Sequence, residues 1–170
     1  MDDEASDEVL MTRLARGESR ALELLCRRWE GPLYSFLARQ TGGRDVDDLY
    51  QDTWLRVVRA APRFDPARRF STWLFQIAVN RSRDWRRRPP PEPVDSVGDL
   101  PAEVDFVEAR LDAERLLAAL PPTQRSAIIL RYWHDCDEDA VARILRIPRG
   151  TVKSRLHHAM RRLIALARGR

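Results

Sequence analysis

The stretch Arg44 to Arg88, RDVDDLYQDTWLRVVRAAPRFDPARRFSTWLFQIAVNRSRDWRRR, decides the fold. Val46, Leu49, Thr53, Trp54, Val57 and Val58 recur at three- and four-residue spacing, which predicts a helix with one apolar face. Asp45, Asp47, Asp48, Gln51 and Asp52 lie around its first turns, where acids suit the helix dipole. Phe64-Asp65-Pro66 predicts a turn. A second helix is expected after Phe70, with Ser71 or Thr72 as its cap and Trp73, Leu74, Ile77 and Ala78 along it. Beyond Asn80 the composition changes. Residues 81–88 hold five arginines against Asp84 alone, with Trp85 among them. A basic helix end bearing an aromatic suits a nucleic-acid backbone and unstacked bases.

Upstream, Val9, Leu10, Met11 and Leu14 predict a short helix ended by Gly17. Leu22, Leu25, Trp29, Leu33, Phe36 and Leu37 predict a longer helical stretch over 18–39, with a kink or a break at Gly31-Pro32. These helices and those of 44–88 are expected to pack around Trp29, Phe36, Trp54 and Ile77, core being the ordinary fate of aromatics at helical spacing.

Downstream, residues 88–105 (RPPPEPVDSVGDLPAEVD) are rich in proline and acid and poor in large apolar side chains. Such a segment buries too little surface to offset its ordering entropy, so a flexible linker is expected, leaving the mutual arrangement of its two ends open. Then Leu111, Leu116, Leu117 and Leu120 mark a helix, Pro121-Pro122 ends it and starts another, and Ala127, Ile128, Leu130 and Tyr132 line that one. Asp135 or Asp137 is placed to cap a short helix bearing Ala140, Val141, Ile144 and Leu145. After Arg146-Ile147-Pro148, a last helix carries Val152, Leu156, Ala159 and Leu163. Two helices joined by a tight turn, the second basic on its outer face, form a helix-turn-helix pattern. Its turn position, commonly glycine, is Arg146, which would be strained at positive φ. The fold class is therefore all-α: two small helical domains joined by an acidic, proline-rich linker.

Of 170 residues, 44% are hydrophobic and 33% charged, a globular composition, and the net charge of +4 is unevenly spread. Residues 1–10 hold five acids and no base, residues 89–114 eight acids against Arg110, and residues 140–170 nine bases and no acid. The basic segments are expected to face a polyanion. No apolar run approaches a membrane span and the acidic start is unlike a secretion signal, so a cytoplasmic protein without membrane insertion is expected. Cys26 and Cys136 form no CxxC pair, so neither a disulfide framework nor a zinc site is expected. Acids at 45–52 could suggest magnesium, but acids at a helix start are commonplace and matching ligands are missing. His157-His158 likewise has no third ligand nearby, and His134 beside Asp135 comes with no nucleophile motif. No metal, cofactor or enzymatic activity is expected.

DVDDLYQDTWLRVVRA followed by RFSTWLFQIAVNRSRDWRRR resembles the second conserved region of bacterial sigma factors of the extracytoplasmic-function group, in the sigma-70 family. LPPTQRSAIILRYW with AVARILRIPRGTVKSRLHHAMRRL is similar to the fourth conserved region of the same group, RGTVKSRL being the most specific fragment. The two motifs stand about sixty residues apart across an acidic linker, and the resemblance spans nearly the whole chain, residues 1–43 contributing least. It implies a dissociable factor that gives core RNA polymerase its promoter specificity, for a regulon answering stress or envelope damage.

The resemblance divides the chain into a polymerase-docking and minus-ten domain at 1–88, a linker at 89–106 passing through the RNA exit channel, and a minus-thirty-five domain at 107–170. Asp47, Asp48, Gln51, Asp52, Trp54 and Arg56 would dock the clamp helices of the polymerase's largest subunit, and the flap of the second-largest subunit is a further partner. Asn80, Arg81, Ser82, Arg83 and Asp84 would form a minus-ten recognition loop, with Arg86 and Arg87 on the DNA backbone. Phe70 and Trp73 could support its base pocket, core packing being the preferred role for Trp73. Arg149, Thr151, Lys153, Ser154, Arg155, His157, His158 and Arg161 would meet the minus-thirty-five element. An anti-sigma factor is implied as a further partner. Two other functions fit parts of the sequence. An autonomous helix-turn-helix repressor or activator leaves 44–88 unexplained, and a metal-dependent nucleic-acid enzyme has only the acids at 45–52 behind it.

Overall fold

The computed structural model describes residues 4–88 and 107–168, the side chains of 107–111 excepted. The linker expectation therefore lies outside the described residues. Those residues form eight α-helices and one 3-10 turn, with no strand among them.

Helix α1 (Asp7–Ala15) is capped by the Ser6 side chain, which accepts from the Val9 N–H, and Gly17 follows at φ 90°. Helix α2 (Ser19–Thr41) runs unbroken through Pro32, contrary to the expected interruption. Proline removes only its own N–H, and the flanking positions keep their apolar contacts, since Leu25, Leu33, Phe36 and Leu37 are fully buried. Helix α2 ends on Gly42 at φ 68°. Helix α3 (Val46–Ala60) leads through the 3-10 turn Ala61–Arg63 and the Asp65-centred turn into helix α4 (Phe70–Arg87).

Neither Ser71 nor Thr72 caps α4, since the helix begins ahead of both. Glu8 of α1 accepts the Phe70 N–H at 3.0 Å instead, satisfying one of the donors that every helix start leaves open. Helix α1 is fixed from the other side as well: Asp7 accepts from Arg28 at 3.0 Å and from the Trp29 indole at 2.9 Å. Edge-on aromatic contacts of Trp29 with Phe70 and Phe75, and of Phe36 with Phe75, join α2 to α4.

Helix α5 (Val107–Ala118), α6 (Pro122–Tyr132), α7 (Glu138–Leu145) and α8 (Arg149–Arg168) make the second group. Asp137 caps α7 through the Ala140 N–H at 2.7 Å, and Arg146 stands at φ 55°, in the left-handed conformation read from its place in the turn. Val141, Ile144, Leu145, Val152, Leu156 and Ala159 are buried, so α7 and α8 form the expected helix-turn-helix.

The two groups are packed on each other. Gln40 of α2, 1% exposed, accepts from the Ser126 hydroxyl of α6 at 3.1 Å. The Arg125 guanidinium donates to the Gln40 carbonyl at 3.1 Å and to the Leu117, Ala118 and Leu120 carbonyls at the end of α5. Farther along, Gln76 of α4 donates to the Arg143 carbonyl of α7 at 2.7 Å. The His134 ring lies 4.8 Å from Phe75 and 6.0 Å from Phe36.

Candidate nucleic-acid interface

Helix α3 presents one side to the core and one to solvent. Val46, Leu49, Thr53, Trp54 and Val57 are buried. Val58, assigned to the apolar face by periodicity, is instead 39% exposed, and Leu55 is 53% exposed. With Asp48, Gln51, Arg56 and Arg59, also exposed, they make a mixed apolar and charged stripe of the kind that docks a partner helix. Asp47 lies beside it. Two residues of the sequence-derived docking set turn elsewhere. Trp54 is 6% exposed and packs edge-on against Tyr50, and the Asp52 carboxylate accepts from Arg81 of α4 at 2.8 Å.

The recognition loop implied by resemblance is helical here: Asn80 to Arg87 continue α4 without interruption. The segment contains no glycine or proline to stop it, and the Ser82 hydroxyl donates back to the Ala78 carbonyl, a bond that suits a helix interior. Helical spacing then sorts the side chains. Arg81, its side chain 8% exposed, is held by Asp52 and Asp84. Asn80 and Arg87 point to solvent, Arg87 standing 3.6 Å from Asp84. Arg83 and Arg86 are half-buried, and burial is the main cause that pushes both guanidinium groups below their ordinary values. For Arg83 the neighbouring Arg155, Arg87 and Arg146 add to it, and for Arg86 Arg125 and Arg83 do.

Trp85 is fixed by two residues that sequence reasoning left aside. Its indole N–H donates to Asp45 at 2.7 Å, and the Arg44 guanidinium lies 5.0 Å from the ring centre. Asp45 reaches this position from φ 52°, just ahead of α3. Phe70 is fully buried, and Trp73 packs 5.0 Å from Phe64, so core packing accounts for both.

In the helix-turn-helix, Lys153, Ser154, His157, His158 and Arg161 lie exposed on α8, and Thr151 is partly covered. Arg149 is tied to the acidic start of α7, 3.1 Å from Glu138 and 3.5 Å from Asp139, while Lys153 stands 3.9 Å from Glu138. The Glu138 bond is the main cause that raises the Arg149 guanidinium further. These acids cross-brace the turn and orient the bases at the start of the reading helix. Sequence spacing did not reveal them, because the pairs are ten and more residues apart. The Ser154 hydroxyl and His158 Nδ1 are 3.4 Å apart. Arg155 differs from its neighbours: it is partly covered, and its Nη1 is buried with no hydrogen-bond partner among the described residues.

The remaining titratable candidates are structural. Burial, then Arg39, pushes His134 down to about 4, and burial pushes Cys26 and Cys136 up to about 11, so neither thiol is poised as a thiolate. No helix among the described residues is long and apolar enough to cross a membrane.

Comparison with known proteins agrees with this geometry. The family described as Sigma-70 region 2 matches residues 25–89, and that described as Sigma-70, region 4 matches residues 110–163. The chain is 30% identical to the ECF RNA polymerase sigma-E factor of Escherichia coli (strain K12), over 94% of this chain and 93% of that protein. Its counterpart in Haemophilus influenzae is 29% identical over 94% of each chain. Among solved structures, CnrH in complex with the cytosolic domain of CnrY superposes with a TM-score of 0.75 at 30% identity, covering 97% of this chain and 99% of that one. RpoE from Bartonella quintana, in complex with the anti-sigma factor NepR, also gives 0.75, at 25% identity and 86% and 96% coverage.

Proposed function

Because the chain belongs to the extracytoplasmic-function group of the sigma-70 family, we propose how its residues divide the work of a dissociable sigma factor that binds core RNA polymerase and directs promoter-specific transcription initiation. The observation that carries the division is the coexistence, in one chain, of a solvent-facing stripe on α3, an arginine-bearing α4 and a helix-turn-helix.

Residues 1–88 dock the polymerase and engage the minus-ten element. Asp47, Asp48, Gln51 and Arg56 contact the clamp helices of the largest subunit, joined by Leu55 and Val58; Trp54 and Asp52 hold the stripe in place from behind. Asn80, Arg83, Arg86 and Arg87 meet minus-ten DNA, and the Asp52–Arg81–Asp84 cluster fixes the helix that presents them. Residues 107–170 read the minus-thirty-five element through α8 and meet the flap of the second-largest subunit. Duplex phosphates are held by arginine and lysine, which position without specifying, and base edges in the major groove supply specificity. The relatives crystallised with CnrY and with an anti-sigma factor support a protein partner of that class for this chain. The protein works in the cytoplasm beside the polymerase and performs no catalysis of its own.

The deciding experiment is run-off transcription with core polymerase on a pool of promoter fragments, with and without the protein. New discrete transcripts are expected only in its presence. Unchanged start sites, together with selective duplex binding by the protein alone, would replace this reading with an autonomous repressor or activator.

A further inference from the structure

The two DNA-facing surfaces lie against each other. Arg83 and Arg86 of α4 feel the charges of Arg155, Arg146 and Arg125 in the second group, and desolvation is the chief influence on both. Arg86 Nη1 and Arg155 Nη1 are buried without a hydrogen-bond partner among the described residues. Arg68, Arg69, Arg143 and Arg146 meet around a cleft of about 560 Å³ between the start of α4 and the helix-turn-helix, otherwise lined by Ala67, Thr72 and Gln76, with no carboxylate. Burying charged donors unpaired and crowding like charges both oppose this packing. It is held by the opposite end of the seam, where Gln40, Ser126 and Arg125 complete one another's hydrogen bonds.

This arrangement does not fit a promoter. Elements named for positions twenty-five base pairs apart are separated by about 85 Å at 3.4 Å per pair. An extended linker of the length of 89–106 reaches about 60 Å at 3.3 Å per residue, which with the span of two domains is enough. With Arg83 beside Arg155, the two surfaces cannot serve both elements at once. The α3 stripe, in contrast, is exposed in the same structure.

From these observations we infer that the chain masks itself: the Gln40–Ser126–Arg125 lock holds a closed form in which the polymerase-docking stripe is open and the promoter-reading arginines are covered. The inference rests on the sigma-factor reading and adds an order of events. Polymerase engages the closed chain first through α3, the lock parts, and the arginines exchange their poor packing for phosphates and bases.

A chain carrying Gln40→Cys and Ser126→Cys tests this directly. Oxidation should form the cross-link readily, because the native side chains are within hydrogen-bond distance and burial keeps Cys26 and Cys136 protonated. The reduced pair is expected to support run-off transcription with core polymerase, the oxidised pair to lose it, and reductant to restore it. An oxidised chain as active as the reduced one, or a pair that does not oxidise, overturns the inference. Failure of the wild-type chain to transcribe would strike the sigma-factor reading instead, while closure is still judged by whether the pair oxidises. Should the paired variant not fold, X-ray scattering of the wild type decides. A radius of gyration of about 15–16 Å, as for one compact body of this length, that grows in Gln40→Ala supports closure, and an already expanded wild type refutes it.

Discussion

Asp45, Asp135 and Arg146 are the non-glycine residues among those described that stand at positive φ, and each sits at a joint. Asp45 opens α3 and holds Trp85, Asp135 precedes α7, and Arg146 is the turn of the helix-turn-helix. An L-residue in this conformation loses roughly 1–2 kcal/mol relative to an ordinary one. Arg146→Gly should therefore raise stability by about 0.5–1 kcal/mol, part of the relief being offset by the freer unfolded chain, as thermal unfolding would show. Arg81→Met should act oppositely. It leaves Asp52 and Asp84 without their shared guanidinium, and urea unfolding is expected to report a loss of about 1–3 kcal/mol.

His134 gives the acid side of the stability curve a recognisable shape. Its folded pKa of about 4 lies below the unfolded value of 6.5, so the neutral ring is the form that folding favours. Its contribution is complete above pH 6.5 and fades as pH falls from 6.5 toward 4, amounting to roughly 3 kcal/mol for a shift of this size. His134→Leu should remove that part of the pH dependence in unfolding titrations, leaving the losses at lower pH that come from Glu8 and Asp137, both held below their usual range. At residue scale, too, the DNA-binding assignments separate. Replacing Lys153 with alanine should reduce the slope of log affinity against log salt by about 0.9 if the side chain meets only phosphate. If it reads a base, about 1–3 kcal/mol should be lost at one promoter position and little elsewhere.

At the scale of elements, periodicity revealed most of the architecture. The apolar spacing of 46–57, the punctuation at Pro121-Pro122 and the Asp137 cap all correspond to observed helices, because each depends on neighbours within a turn or two. What failed depended on distant partners. The start of α4 was misread because its capping oxygen comes from Glu8, 62 residues away. The break at Pro32 did not form because the burial of Leu33, Phe36 and Leu37 continues the helix beyond it. The site was legible to a similar degree. The exposed bases of α8 followed from spacing alone, whereas the withdrawal of Asp52, Trp54 and Arg81 from their expected roles required knowing that α3 and α4 face each other. The Glu8 contact makes a prediction of its own. Glu8→Ala should cost about 1 kcal/mol, the usual value of a lost helix cap, and amide exchange should show the loss concentrated in the first turn of α4.

For the molecule as a whole, the segregated charge acquires a physical meaning. Basic segments that are far apart in sequence converge on one cleft, so the packed form is expected to be sensitive to ionic strength. Salt should favour the closed arrangement by screening its arginines, and scattering across a salt series would show the radius of gyration falling as salt is added. The opposite trend would indicate that the unlike-charge contacts outweigh the crowding.

Lys153 has a practical consequence of another kind. It is the chain's single lysine, all the other basic side chains apart from three histidines being arginine, and it stands 61% exposed on the helix assigned to reading promoter DNA. Amine-selective chemistry on side chains is thereby confined to one address. A dye placed there would report engagement of the reading helix without cysteine engineering, and acetylation at that nitrogen would erase one charge at the position where a promoter is recognised.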